Sequence, residues 1–229
     1  MRILLKLSGE ALAGEKKTGF DEPTVREVAD QIKQIMKGNE IAIVIGGGNF
    51  WRGRTSGSMD RAKADQIGML ATVMNCLFVS EVFRTEGIDT EVFTPFILGT
   101  FTTQFSKEAA IKSMQAGKVV FFAGGTGHPY FSTDMGTVLR ALEIEADSVL
   151  LAKSIDGVYD DDPSINPNAK KFDEISLSEV VKRGLKVVDT PASALALENK
   201  MPFLVFDLNE ENSIVKAMSK DFNGTRVTV

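Results

Sequence analysis

Short apolar runs alternate with amphipathic stretches along almost the whole chain. The runs are Ile3–Leu7, Ile41–Ile45, Thr90–Phe93, Val119–Ala123, Val149–Ala152 and Phe203–Phe206. Most lack polar alternation, the pattern of strands covered on both faces. Between them the spacing of apolar positions predicts helices. Pro23–Lys37 opens behind Asp21 and stops at Gly38, with start and stop residues in the right places. Arg61–Thr85 is long and apolar on more than one face, which predicts deep packing. Ser106–Ala116 ends at Gly117, and Thr133–Ala146 begins at Thr133–Asp134, either of which could cap it. Leu177–Arg183, Ala192–Asn199 and Asn212–Lys220 complete the set. Proline and acidic residues crowd into DDDPSINPNAKKF (160–172), a long loop or a hairpin.

This βαβα alternation predicts an α/β fold, a mostly parallel central sheet with helices on both faces. No repeat, low-complexity segment or linker divides the chain. With a prior of about 150 residues per domain, 229 residues read as one compact domain with two lobes. Ligands of such open sheets bind beyond the carboxyl ends of the strands. Those ends here read LLKLSGE (4–10), VIGGGN (44–49), FFAGGTGHP (121–129) and LLAKSIDG (150–157). Three of the four are rich in glycine, which suits one large polyanion cradled by backbone N–H groups.

Composition narrows the partner. Apolar residues make up 43% and charged residues 25%, ordinary for a globular protein with a sizeable core. The net charge of −5 argues against a nucleic-acid-binding domain, which carries a basic footprint, but permits small anionic ligands. The single cysteine, Cys76, excludes an internal disulfide and sits among Leu, Met and Phe as a buried, inert thiol. The apolar start MRILLKLSGE is too short for a signal peptide and is interrupted by Lys6. No apolar run approaches the 18 or so residues of a membrane span. A cytoplasmic protein is the expectation.

Two familiar phosphate fingerprints nearly fit and fail. Gly46-x-Gly48 and Gly125-x-Gly127 lack the third glycine of G-x-G-x-x-G, which argues against a dinucleotide. GNFWRGRT (48–55) approximates a Walker A loop, and FLVFD ending at Asp207 a Walker B strand. Arginine replaces the lysine, however, and SGSMD follows instead of a helix start. Lys6 interrupts the first strand: it reads as an edge-strand lysine that discourages aggregation, or as a cation aimed at phosphates beside the Ser8–Gly9 turn. Arg52 reads as a surface residue or as a planar fork for a phosphate. Asp65 reads as a solvated helix-face carboxylate or a ligand contact. Asp134 could be a helix N-cap, which is compatible with a site because the capped end is positive. His128, the only histidine, has no partner with metal-ligand spacing, and Asp160–Asp162 reads as a turn, so no protein-built metal site is predicted.

Together KLSGEAL (6–12), VIGGGNFWRG (44–53), IGMLATVMN (67–75), GGTGHPYFSTD (124–134), EIEAD (143–147), DGVYDDDP (156–163) and FNGTRV (222–227) resemble the bacterial uridylate kinases of the amino-acid kinase superfamily. The resemblance runs from residue 2 to the end, in order and with similar spacing. It implies a three-layer αβα sandwich, the amino-acid kinase fold, assembled as a homohexamer. It implies transfer of a phosphoryl group from ATP to UMP with Mg²⁺ held mainly by the nucleotide phosphates, in pyrimidine nucleotide biosynthesis. It further implies an acceptor lobe over about residues 1–145 and an ATP lobe over about 146–229.

Carried over motif by motif, Lys6, Leu7, Ser8 and Gly9 would contact the ATP phosphates. Gly47 would meet UMP, Gly48 and Arg52 the ATP side, and Asp65 the UMP ribose. Thr126, Gly127, His128, Pro129, Tyr130, Phe131, Ser132 and Thr133 would wrap UMP. Lys153, Tyr159 and Asp162 would flank the adenosine, and Asp134 and Asp189 would organise the charged centre. His128 departs from the family's usual asparagine, and Lys153 from its usual threonine or asparagine. GEKKTG (14–19) aligns with a region tied to GTP activation in relatives, but Ser80 and Glu91 replace two basic positions there. Weak or absent GTP activation is the expectation, with UTP inhibition retained. The competing readings are a relative acting on a carboxylate or carbamate, a non-catalytic nucleotide-binding or storage protein, and a Walker-type NTPase.

Overall fold

The structure, a computed structural model, describes residues 1–51 and 58–229. Its strands are β1 (Arg2–Leu7), β2 (Glu40–Ile45), β3 (Thr90–Thr94), β4 (Thr103–Gln104), β5 (Val119–Phe122), β6 (Ser148–Lys153), β7 (Val158–Tyr159), β8 (Lys171–Phe172), β9 (Glu174–Ser176), β10 (Phe203–Asp207) and β11 (Thr225–Thr228). Its helices are α1 (Gly9–Leu12), α2 (Glu22–Ile35), α3 (Arg61–Thr85), α4 (Lys107–Gln115), α5 (Thr133–Glu143), α6 (Leu177–Arg183), α7 (Thr190–Glu198) and α8 (Ser213–Ala217), with a 3₁₀ turn at Gly14–Lys16.

Nine strands form one sheet in the order β4-β3-β5-β2-β1-β6-β10-β11-β9, and β7–β8 is a separate antiparallel hairpin. Every pair in the large sheet is parallel except β10–β11. Successive residues of β1 serve opposite faces. Ile3, Leu5 and Leu7 pack with α2, α3 and α8, whereas Leu4 packs with α4, α5, α6 and α7. This is the three-layer sandwich. The helices obey their sequence logic. In α2 the buried residues Val25, Val28, Ala29, Ile32 and Ile35 form one stripe, and Asp21 accepts the N–H of Thr24 at its start. Each of the valines and isoleucines contributes roughly 1.5–3 kcal/mol by leaving water.

α3 has the length and hydropathy of a membrane span, yet its Ala71, Val79 and Phe83 are buried in this packing. Ile67, Leu70 and Met74 remain exposed along one stripe of it. Cys76 is fully buried there, and burial pushes its thiol pKa up to about 12, so it is inert at neutral pH.

Three expectations change. β1 lies between β2 and β6, so Lys6 is on a central strand and the edge-strand reading falls. The cap of α5 is Ser132, whose hydroxyl accepts the N–H of Met135 at 3.1 Å; neither Thr133 nor Asp134 caps it. Asp207 accepts the backbone and side-chain N–H groups of Asn209, a local turn that leaves nothing of the Walker B reading. The 160–172 segment takes its hairpin alternative, with Tyr159 opposite Lys171.

Candidate active site

β5, β2, β1 and β6 are parallel neighbours, so their carboxyl ends open into one crevice. β1 delivers Lys6 to the face on which Leu4 meets α5. The first turn of α5 delivers Asp134. Lys6 Nζ donates to Asp134 Oδ1 at 2.7 Å, with both side chains about one-fifth exposed. Because Ser132 does the capping, the Asp134 carboxylate is free to face the lysine.

The glycines are placed by close approach. A Cβ on Gly9 would lie 2.3 Å from the Gly46 carbonyl oxygen and 2.4 Å from Asn49 Oδ1, so the turn after β1 and the loop after β2 touch backbone to backbone. Gly127, with φ +83°, would put a Cβ 2.9 Å from the Pro95 ring.

A cavity of about 270 Å³ opens between these loops, walled by Lys6, Ser8, Gly9, Gly47, Gly48, Asp65, Thr126, Phe131, Ser132 and Thr133. Leu7 differs: its side chain is buried in the core, its carbonyl accepts the Gly46 N–H, and it does not wall the cavity. Asp65 is no solvated carboxylate. It accepts the Tyr130 N–H at 2.8 Å and pairs with Arg61 at 3.0 Å, and Arg61 also sits over the Tyr130 ring. It thereby ties the 124–132 loop to α3. Thr126 and His128 hydrogen-bond within that loop. His128, Pro129 and Tyr130 do not wall the cavity. Arg52 lies outside the described residues.

A second cavity of about 270 Å³ shares Lys6, Asp65 and the start of α5 with the first, and adds Asp134 and Asp189. Asp189 caps α7 by accepting the Ala192 N–H at 3.0 Å. Lys153, at the end of β6, donates to the Val187 carbonyl. Burial lowers its pKa from the ordinary lysine value; Asp134 opposes that shift and Lys6 adds to it. Lys153 walls neither of the two cavities above nor the one that holds Tyr159 and Asp162.

Tyr159 and Asp162 wall a separate cavity of about 430 Å³ with Arg183 and Lys186. There Tyr159 donates to Asp156 at 2.7 Å, and Asp162 accepts from both the N–H and the hydroxyl of Ser164. Among the described residues no cluster of three or more His, Cys, Asp or Glu side chains could hold a metal alone.

Sequence reasoning passed over Arg61, Thr72, Asn75, Asn49 and Trp51. Arg61 was discoverable as the i−4 partner of Asp65. Trp51 Nε1 donates to the Ala64 carbonyl at 2.8 Å, and its ring lies beside Gly68 at the cavity wall. Nothing in periodicity marks it.

The chain is similar throughout its length to solved structures. One titled UMP kinase from Ureaplasma parvum is 36% identical, with a TM-score of 0.96 over 100% of this chain and 99% of that one. Another, UMP kinase from Bacillus anthracis, is 33% identical, with a TM-score of 0.95 over 99% and 95%. Uridylate kinase from Archaeoglobus fulgidus is 25% identical, with a TM-score of 0.77 over 100% of both chains. The sequence itself matches the amino acid kinase family over residues 1–207. A parallel sheet whose strand ends hold a lysine–aspartate pair between two glycine-rich loops, matched over this span, makes the chain a member of the amino acid kinase family.

Proposed function

We propose that the protein is a UMP kinase, moving the γ-phosphoryl of ATP onto UMP to give ADP and UDP. The observation that carries this reading is the Lys6–Asp134 pair at the meeting of two glycine-rich loops, in a chain similar end to end to UMP kinases. An oxygen of the UMP phosphate attacks the γ-phosphorus, and the bond to the ADP oxygen breaks. That phosphate is already ionised at neutral pH, so no general base is required. The protein's task is to position and to oppose charge.

Lys6, with the N–H groups of Ser8, Gly9 and Gly48, faces the phosphates of ATP. Gly47 serves UMP, Asp65 holds its ribose, and the 126–133 loop wraps it through Thr126, Phe131, Ser132 and Thr133 at the cavity wall; Arg52 adds a cation on the ATP side. Tyr159 and Asp162 flank adenosine. Lys153 flanks adenosine from the end of β6, where its ammonium is held by the Val187 carbonyl. Asp134 and Asp189 face one cleft as oxygen donors, which suits Mg²⁺ held mainly by the nucleotide phosphates. When bound, that ion neutralises phosphate charge; Asp134 meanwhile orients Lys6.

The finer assignments follow the same reading. Residues 1–145 form the acceptor lobe and 146–229 the ATP lobe, and the enzyme works in the cytoplasm in pyrimidine nucleotide biosynthesis. The exposed stripe Ile67, Leu70 and Met74 on α3 supports self-association, consistent with a homohexamer. UTP inhibits. GTP activates weakly or not at all: Glu91 is engaged by Ser113, Lys118 and Thr103, and Ser80 by Thr90.

The test is ADP production with Mg-ATP across UMP, CMP, dUMP, AMP, aspartate, acetylglutamate and carbamate, with a no-acceptor control. Fast turnover with UMP is expected. Turnover only with a carboxylate or carbamate would move the acceptor assignment, and ADP without any acceptor would make it an NTPase.

A further inference from the structure

The run IGMLATVMN (67–75) contributes more than packing. Asp65, Gly68, Thr72 and Asn75 are spaced three, four and three residues apart, so they share one face of α3. Each meets a strand-end loop. Asp65 accepts the Tyr130 N–H, and Gly68 offers its carbonyl oxygen 3.0 Å from where a Cβ on Gly47 would sit. Thr72, buried, accepts the Gly124 N–H at 2.8 Å while donating to the Met69 carbonyl at 2.7 Å.

Asn75 and Asn49 are both buried and bond reciprocally, side chain to side chain, at 2.8 and 2.9 Å. The second amide hydrogen of Asn75 goes to the Gly46 carbonyl at 2.7 Å, and that of Asn49 to the Gly19 carbonyl at 2.8 Å. Every amide hydrogen of the pair is used. The loop after β5 therefore hangs on Thr72 and the loop after β2 on Asn75, one turn apart on a single rigid helix, with a rise of about 4.5 Å between them.

We propose that Thr72 and Asn75 are positioning residues whose hydrogen bonds set the separation between the two glycine-rich loops, and so the placement of the acceptor against the donor. Thr72 reaches the cavity wall and Asn75 does not, and both act through the loops they hold. The assignment rests on the phosphoryl-transfer reading above. It gives a residue-level reason for polar side chains in the buried half of an otherwise apolar helix, where a purely structural role would be met by valine or leucine.

Thr72→Val keeps the shape and deletes the acceptor of the Gly124 N–H. The UMP KM is expected to rise about tenfold, the size of one lost buried hydrogen bond, with the ATP KM changed by less than about twofold. Thr72→Ser should restore the wild-type value. A folded Thr72→Val enzyme with wild-type UMP KM, or a Thr72→Ser enzyme as impaired as Thr72→Val, would overturn the assignment. Asn75→Ala frees the other loop, with kcat expected to fall about tenfold.

That variant also has a readout independent of turnover. Trp51, the protein's only tryptophan, sits in the same loop against α3, so its emission should move to the red as the loop lifts. Unchanged emission in folded Asn75→Ala would contradict the proposal. A wild-type enzyme inactive with UMP would instead retire the functional reading and leave the Trp51 result to judge the loop.

Discussion

The two sides of the crevice are held by different physics. On the proposed acceptor side, the loops after β2 and β5 hang on α3 mainly through buried, uncharged side chains, Thr72, Asn75 and Asn49, with the Asp65 contact to the Tyr130 N–H as the charged exception. On the proposed adenosine side, buried Thr225 ties Val158 to the Phe172 carbonyl, but the rest of the β7–β8 hairpin is held by carboxylates near water. Asp156 takes bonds from Tyr159 and Lys171, Asp161 from Asn166, and Asp162 from Ser164. Neutral buried bonds respond little to salt or pH, whereas exposed ionic ones respond to both. Under the proposed assignments, the difference teaches that precision is built where the acceptor is aligned, and adaptability where adenosine is gripped. Lys6 and Asp134 stand on the seam.

The largest effect should come from that seam. Lys6→Ala is expected to keep the fold and lose about 10²–10³ in turnover, the scale of one lost transition-state contact. Steady-state kinetics beside a thermal melt would check it, and near-wild-type turnover would remove Lys6 from the chemistry. Next is Asp65→Ala, on the acceptor side. It releases the Tyr130 N–H and should raise the UMP KM by about tenfold, a charged hydrogen bond's worth, while leaving the ATP KM alone. Equal rises in both would erase the distinction between the sides.

A smaller effect is expected across the crevice. Burial raises the Asp156 pKa, but bonds from Tyr159 and Lys171 outweigh it and leave the carboxyl below its ordinary value. Asp156→Asn should raise the ATP KM by only about two- to fivefold, as suits a partly exposed ion pair, and should flatten its dependence on salt. A titration at low and high ionic strength reads both.

The smallest concerns Glu91, which walls none of the three site cavities. Burial raises its pKa, yet bonds from Ser113, Lys118 and Thr103 hold it net below the ordinary value. Its folded pKa is thus depressed. The stabilisation is present above the unfolded carboxylate value and is lost as pH falls through the folded one. Glu91→Gln should cost at most about 1 kcal/mol at neutral pH and nothing in acid; urea melts at about pH 7 and about pH 3 would reveal a gap that closes.

Much of this was legible in the chain. The apolar runs without alternation marked β1, β2, β3, β5, β6 and β10, and the glycine-rich ends located the crevice. The short strands β4, β7, β8, β9 and β11 were not legible. Two to four residues carry too little periodicity, and tertiary pairing alone makes them strands. Lys6 looked ambiguous because a strand's place in its sheet cannot be read from the strand. Asp134 was mistaken for a possible cap because Ser132, one residue before Thr133, offered the same chemistry. Thr72 and Asn75 were invisible for a different reason: a polar side chain inside an apolar helix shows its purpose only when its partners arrive from elsewhere in the chain.

The place of β1 in the sheet also dictates when a growing chain can close. One edge of β1 is covered by β2 within the first 45 residues, but the other waits for β6, where Ile3 pairs with Ser148. On a ribosome adding about 5–20 residues per second, that edge stays open for on the order of ten seconds. During this interval a central strand edge, apolar but for Arg2 and Lys6, is offered to any neighbouring nascent chain. The crevice cannot assemble before Lys153 has emerged, so a product truncated before β6 would carry every acceptor loop and still have no finished sheet to hold them.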